Sequence, residues 1–120
     1  MELPVLYALT HPERVTDAAM PAFDPVALSP LTFERVRVED FPALELGIAA
    51  GRAGGAAAAV FNAANEEAVA LFLAGRITMG DIPRAISSAL TQLGGAPGGA
   101  LDALLAADQE ARRHVRARFA

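Results

Sequence analysis

Glycine cuts the sequence from Asp40 onward into alanine-rich runs, and that punctuation leaves few architectures open. Alanine is the strongest helix former and lets helices approach closely, so these runs read as helices rather than strands. In the first, Asp40 is a cap candidate, Pro42 lies in the first turn, and Gly51 or Gly54-Gly55 is the stop. The second, AAAAVFNAANEEAVALFLAGRI, closes at Gly75. In the third Asp81 caps, Pro83 occupies the first turn, and Gly94-Gly95 end the helix. A flexible Gly/Pro linker follows, and the last helix is expected from about Ala106. Four helices joined by loops this short pack as a bundle.

The front of the chain has a different texture. MELPVLYALTHPERV predicts a short helix, with Pro4 in its first turn and Pro12 stopping it. Residues 16–30 carry three prolines without a sustained period, which describes an irregular connector. LTFERVRV alternates imperfectly, so its front half, residues 31–33, is expected as an edge strand. Nothing else in the chain reads as a partner for it. The expected class is mainly α: a C-terminal four-helix-type bundle after a short helix, a connector and one orphan edge strand. The boundary falls between residues 1–39 and 40–120.

Composition excludes several function classes. With 120 residues the chain is long enough for one domain with a real core and too short for two independent ones. No apolar stretch approaches the ~18 residues of a membrane span, and no basic segment with an apolar core opens the chain as a signal peptide would. No cysteine is present, so thiolate metal sites and thiol nucleophiles are out and a reducing cytoplasm is the expected compartment. A net charge of −4 and a pI near 5.0 argue against non-specific binding to nucleic acid. All 10 basic residues are arginine, which removes Schiff-base chemistry and the P-loop lysine.

Polar groups inside the second helix are the natural candidates for chemistry. At about 100° per residue, Phe61, Ala64, Ala68, Val69, Leu71 and Phe72 form an apolar arc. Asn65 falls inside that arc and Asn62 on its edge, so both are expected as structural polar groups. An enclosed Asn65 amide would bond a neighbouring loop or helix end. Glu66 and Glu67 fall on the opposite arc with Ala63 and Ala70. Adjacent positions diverge, so the two do not aim at one substrate as an acid/base pair must. A solvated face or surface ion pair is expected for them.

His11 and His114 have no third ligand at metal spacing and read as solvated or capping groups. The serines lack a nucleophile elbow, and the glycine-rich stretches lack a phosphate-loop pattern. The cluster Arg112, Arg113, Arg116, Arg118 reads as a solvated face at the negative end of the helix dipole. The core is expected to unite Phe61, Ala64, Ala68, Leu71 and Phe72 with Leu44, Ile82, Ile86 and Leu90. Phe72→Ala would then cost roughly 3–5 kcal/mol. From the residues alone, no catalytic, cofactor-binding or metal-ligating group is expected, and the reading stops at a helical accessory domain.

The motifs nevertheless occur in a distinctive order. MELPVLYALTHPERV, PLTFERV, DFPALELG, the segment RAGGAAAAVFNAANEEAVALFLAGRITMGDIPRAI, and DQEAR together resemble the C-terminal part of 1-deoxy-D-xylulose 5-phosphate reductoisomerase. Asn62, Ala63, Ala64, Asn65 and Glu66 match the family's N-A-A-N-E element. Gly75, Arg76, Ile77, Asp81, Ile82 and Pro83 match the turn that follows. The resemblance covers essentially the whole chain. It implies an enzyme that uses NADPH and a divalent metal, Mg or Mn, to rearrange and reduce deoxyxylulose phosphate to methylerythritol phosphate in non-mevalonate isoprenoid synthesis.

The resemblance also implies that the NADPH, metal and main substrate sites lie upstream of the position matching Met1. This chain would then bind no cofactor itself and be non-catalytic in isolation. Met1 corresponds to an apolar position on the wall of the substrate pocket. The implied partners are the missing N-terminal and catalytic portion of the same enzyme and, in a family homodimer, a second copy; no nucleic acid or membrane is expected. Residues 31–33 would join the catalytic domain's sheet. A chain starting at this Met is expected to be a truncated product, a mis-called start or a stand-alone piece. Two alternatives come from other classes: a free-standing helical protein-interaction module, and an independent hydrolase using Glu66 or Glu67.

Overall fold

A computed structural model describes residues 2–20 and 23–119. Among the described residues there are five helices: α1 (Glu2–Thr10), α2 (Pro42–Ala53), α3 (Ala57–Leu73), α4 (Asp81–Leu93) and α5 (Leu101–Phe119). The mainly helical class is therefore present. The chain divides into two compact units, with the division in sequence between Arg35 and Val36.

In the first unit, α1 carries Pro4 in its opening turn and ends before Pro12, both compatible with the ring's fixed φ. The Thr10 hydroxyl donates to the Leu6 carbonyl at 3.0 Å. The Arg14 guanidinium lies 4.7 Å from the centre of the Tyr7 ring. Beyond it the backbone is held by short-range turns. Asp24 Oδ1 accepts from the N–H groups of Val26 and Ala27 at 2.9 and 3.2 Å. No residue of α1 is buried.

The edge strand expected at residues 31–33 does not form; the backbone there is irregular. A strand exists only by exchanging hydrogen bonds with a neighbour, and no strand occurs among the described residues. Local alternation has nothing to act on.

The second unit is a bundle of α2, α3, α4 and α5, with α3 central and packed against the other three. Its core is mostly alanine (Ala63, Ala64, Ala68, Ala85, Ala89, Ala111), filled by the fully buried Val60, Ile86 and Val115. Phe61, Ile82 and Leu90 pack against it, half-buried. Two expected core members lie outside it: Phe72 is 37% exposed and Leu44 45% exposed. Ala63 was expected on the solvent side and is fully buried. The burial of Ala63 follows from how α3 is packed. A single apolar arc describes a helix with one buried face, whereas α3 is covered by neighbours on several sides. The partly solvated Phe72 therefore gives up less on truncation than an enclosed ring.

Helix ends follow local chemistry, with three differences from expectation. Phe41, not Asp40, precedes α2, and Asp40 instead pairs with Arg37 at 3.1 Å. Asp81 is the first residue of α4, and its carboxylate accepts from the Thr78 N–H at 2.8 Å and from the Thr78 hydroxyl. This is the back-reaching half of a capping box, one turn earlier than a cap on Asp81 itself. Helix α5 begins at Leu101 rather than near Ala106.

At the end of α3, Gly75 adopts φ 71°, the Arg76 N–H bonds Leu71 O, and the Gly75 N–H bonds Phe72 O. That is the paired closure of a Schellman motif, and it needs the left-handed glycine. The Gly/Pro linker is docked rather than free. The Ala56 N–H donates to Ala96 O at 3.1 Å, and a Cβ on Gly98 would lie 2.6 Å from the Gly55 carbonyl.

Candidate functional site

The polar groups singled out in α3 meet α5. Asn62 Nδ2 donates to Glu66 Oε1, one turn on, at 3.2 Å. Arg112 Nη2 donates to Glu66 Oε2 at 2.6 Å, and its Nε and Nη2 grip Asp108 at 2.9 and 3.1 Å. Arg116 Nη1 donates to Glu67 Oε2 at 2.8 Å. Glu66 and Glu67 diverge around α3, yet both are reached because α5 lies over the face between them. The tip of Glu67 is largely covered, with a side chain only 13% exposed. Two of the four arginines in the α5 cluster thus do more than form a solvated face, while Arg113 pairs only with Glu110 of its own helix and Arg118 is exposed. Arg112 and Arg116, four residues apart and so on one side of the helix, clasp α3.

Electrostatics follow from these contacts. The hydrogen bond from Arg112, then that from Asn62, holds the Glu66 carboxyl below the usual carboxylate range. Hydrogen bonds to Asp108, then Glu66, hold Arg112 protonated more firmly than usual. At the start of α4 the Thr78 hydroxyl, then its N–H, lowers Asp81 in the same way. A carboxylate kept ionised by a permanent cation has no proton to give near neutral pH and is a poor base. The arrangement ties helices together; it does not poise an acid/base pair.

Asn65 is half-buried rather than enclosed. Its side chain makes no hydrogen bond among the described residues, so the expected link to a loop or helix end is not formed. Met1 lies outside the described residues. His114, expected as a solvated or capping group, is half-buried, with Nε2 2.8 Å from Ser88 Oγ, joining α5 to α4. His11 packs edge-on against Tyr7, ring centres 5.6 Å apart.

Among the described residues no three His, Asp or Glu side chains converge, and the carboxylates of α3 are committed to arginine. No strand feeding a glycine-rich turn and helix, the usual seat of a pyrophosphate, occurs among them. No helix of the described residues is long and apolar enough to cross a membrane.

Sequence reasoning missed the clasp because its partners lie 46 and 49 positions apart, beyond any local pattern. The Thr78–Asp81 contact was legible as T-x-x-D ahead of an apolar run.

Comparison with known proteins gives consistent matches. The family model of the DXP reductoisomerase C-terminal domain matches residues 1–114. The 1-deoxy-D-xylulose 5-phosphate reductoisomerase of Laribacter hongkongensis is 46% identical over 115 residues, covering 96% of this chain and 29% of the relative. The solved structure of the Zymomonas mobilis reductoisomerase in complex with NADPH superposes with a TM-score of 0.76 at 36% identity, over 96% of this chain and 30% of that one. A DOX-P reductoisomerase in complex with magnesium gives 0.75 at 31%, over 97% and 31%. The chain spans about 30% of the length of these relatives. On its helical bundle and on these matches, the chain belongs to the DXP reductoisomerase C-terminal domain family.

Proposed function

We propose that this chain serves as the C-terminal helical portion of an NADPH-dependent reductoisomerase that converts 1-deoxy-D-xylulose 5-phosphate to 2-C-methyl-D-erythritol 4-phosphate. In this reading it supports the active site without supplying reacting groups. NADPH and the divalent metal are held by the preceding portion of the enzyme and none by this chain. Residues 1–39 form the end of the catalytic domain, Met1 borders the substrate pocket, and Asn62 and Asn65 are structural. The working enzyme is a cytoplasmic homodimer.

The observation that carries the reading is the family match over residues 1–114 in a chain spanning about 30% of its relatives. The ion-paired state of Glu66 and Glu67 supports the absence of chemistry here. Two assays test it. The purified chain, given deoxyxylulose phosphate, NADPH and magnesium, should oxidise no NADPH. A chimera in which it replaces the matching C-terminal part of the Laribacter enzyme should turn over. Turnover by the chain alone, or a folded, soluble chimera without turnover, contradicts the proposal.

A further inference from the structure

One groove of the bundle belongs to none of the features above. It has a volume of about 350 Å³ and is lined by Arg84, Ser87, Ser88, Thr91 and Gln92 of α4 and by Arg118 of α5. Positions 84, 87, 88 and 91 fall on one face of α4 by helical spacing. The Ser88–His114 contact at 2.8 Å fixes the seam between the two helices, one turn of α5 away from Arg118.

Every lining side chain is polar, and none is a carboxylate. In a protein of net charge −4, an arginine from each of two helices thus lines the same open groove. Like charges around one cavity repel unless an anion lies between them. Arg84 contacts Asp81 at the start of α4, yet a guanidinium carries five N–H donors, so donors remain. Arg118 makes no ion pair among the described residues. The Thr91 hydroxyl donates to the Ser87 carbonyl and Ser88 Oγ is engaged with His114, so the Ser87 hydroxyl and the Gln92 carboxamide are the neutral donors left to hold phosphate oxygens.

We propose that this groove between α4 and the end of α5 binds a phosphate dianion, carried by a small phosphorylated metabolite or free in solution. The groove lies wholly within the bundle and its test reads binding rather than turnover. It therefore stands or falls apart from the reductoisomerase reading.

The test is a two-dimensional NMR titration of the full chain at pH 7.5 and constant ionic strength. Glycerol 3-phosphate, inorganic phosphate and chloride are the separate probes. The expected result is saturable movement of the Ser87, Ser88 and Thr91 amides and of the His114 ring signals with a phosphate probe. Arg118→Gln should weaken the apparent affinity about tenfold, and the milder Ser87→Ala a few-fold, with both spectra otherwise native. Tighter binding of the ester assigns a metabolite; equal affinity assigns the free ion. Unsaturable shifts, shifts reproduced by chloride, or affinity untouched in both variants overturn the proposal.

Discussion

The two units of this chain differ in what their apolar residues find. Before Val36, large apolar side chains are present but uncovered: Leu9, Phe23, Val26 and Leu31 are exposed, and Phe33 is 90% exposed. After it, a core built largely from alanine is sealed by α2, α4 and α5 around α3. Hydrophobic content alone therefore does not make a core. Coverage does, and α1 with its turns offers no second layer. The unit with fewer large apolar side chains for its length, the alanine-rich one, is the one that closes, because small side chains let four helices meet at short range.

The largest expected effect is in protease sensitivity. Brief digestion should cut first between residues 16 and 30, leaving α3 and α4 intact for about three orders of magnitude longer, as a folded unit of ordinary stability would. Cuts first appearing inside α3 would erase the contrast. Next, Ile86→Ala should cost about 2–5 kcal/mol in a denaturant melt, while Phe33→Ala should change stability by no more than ~0.5 kcal/mol. Equal losses would place both side chains in comparable surroundings. Ala64→Leu tests the tightness of the alanine core directly: overpacking should destabilise by about 1–3 kcal/mol, and a neutral result would reveal slack around α3.

Smaller effects come from charge. A double-mutant cycle of Glu67→Gln with Arg116→Gln should give a coupling of about 0.2–1 kcal/mol, since Arg116 is half-exposed and solvent screens the pair. Acid should then weaken the bundle slightly. Glu66 and Asp81 have folded values lowered by their partners. Their contribution is present above the unfolded carboxylate range and is lost as pH falls through the lowered folded values. Melting temperature should accordingly decline on acidification below that range, and Glu66→Gln should shrink the decline. An unchanged slope would remove Glu66 as a contributor.

Much of the architecture was legible because its signals are local. Glycine stops, prolines in first turns and alanine-rich runs located all five helices, and the N-A-A-N-E run with the turn after it pointed to the family. What failed was non-local. The strand at residues 31–33 depended on a partner that no local pattern can supply. The burial of Ala63 depended on how many neighbours cover α3, which a one-face wheel cannot contain. The clasp from Arg112 and Arg116 and the Ser88–His114 contact arise only when separated helices pack. Early initiation of α5 was masked by the glycines before it, although Asp102 sits favourably in its first turn.

Amide hydrogen exchange, measured on the chain alone and again within the Laribacter chimera, tests the contrast between the units most directly. The account predicts that amides of α1 exchange almost freely in the chain alone and gain strong protection in the chimera, whereas Val60, Ala64 and Ala68 are protected alike in both. Protection of α1 equal to that of α3 in the chain alone, or no gain in the chimera, would contradict it.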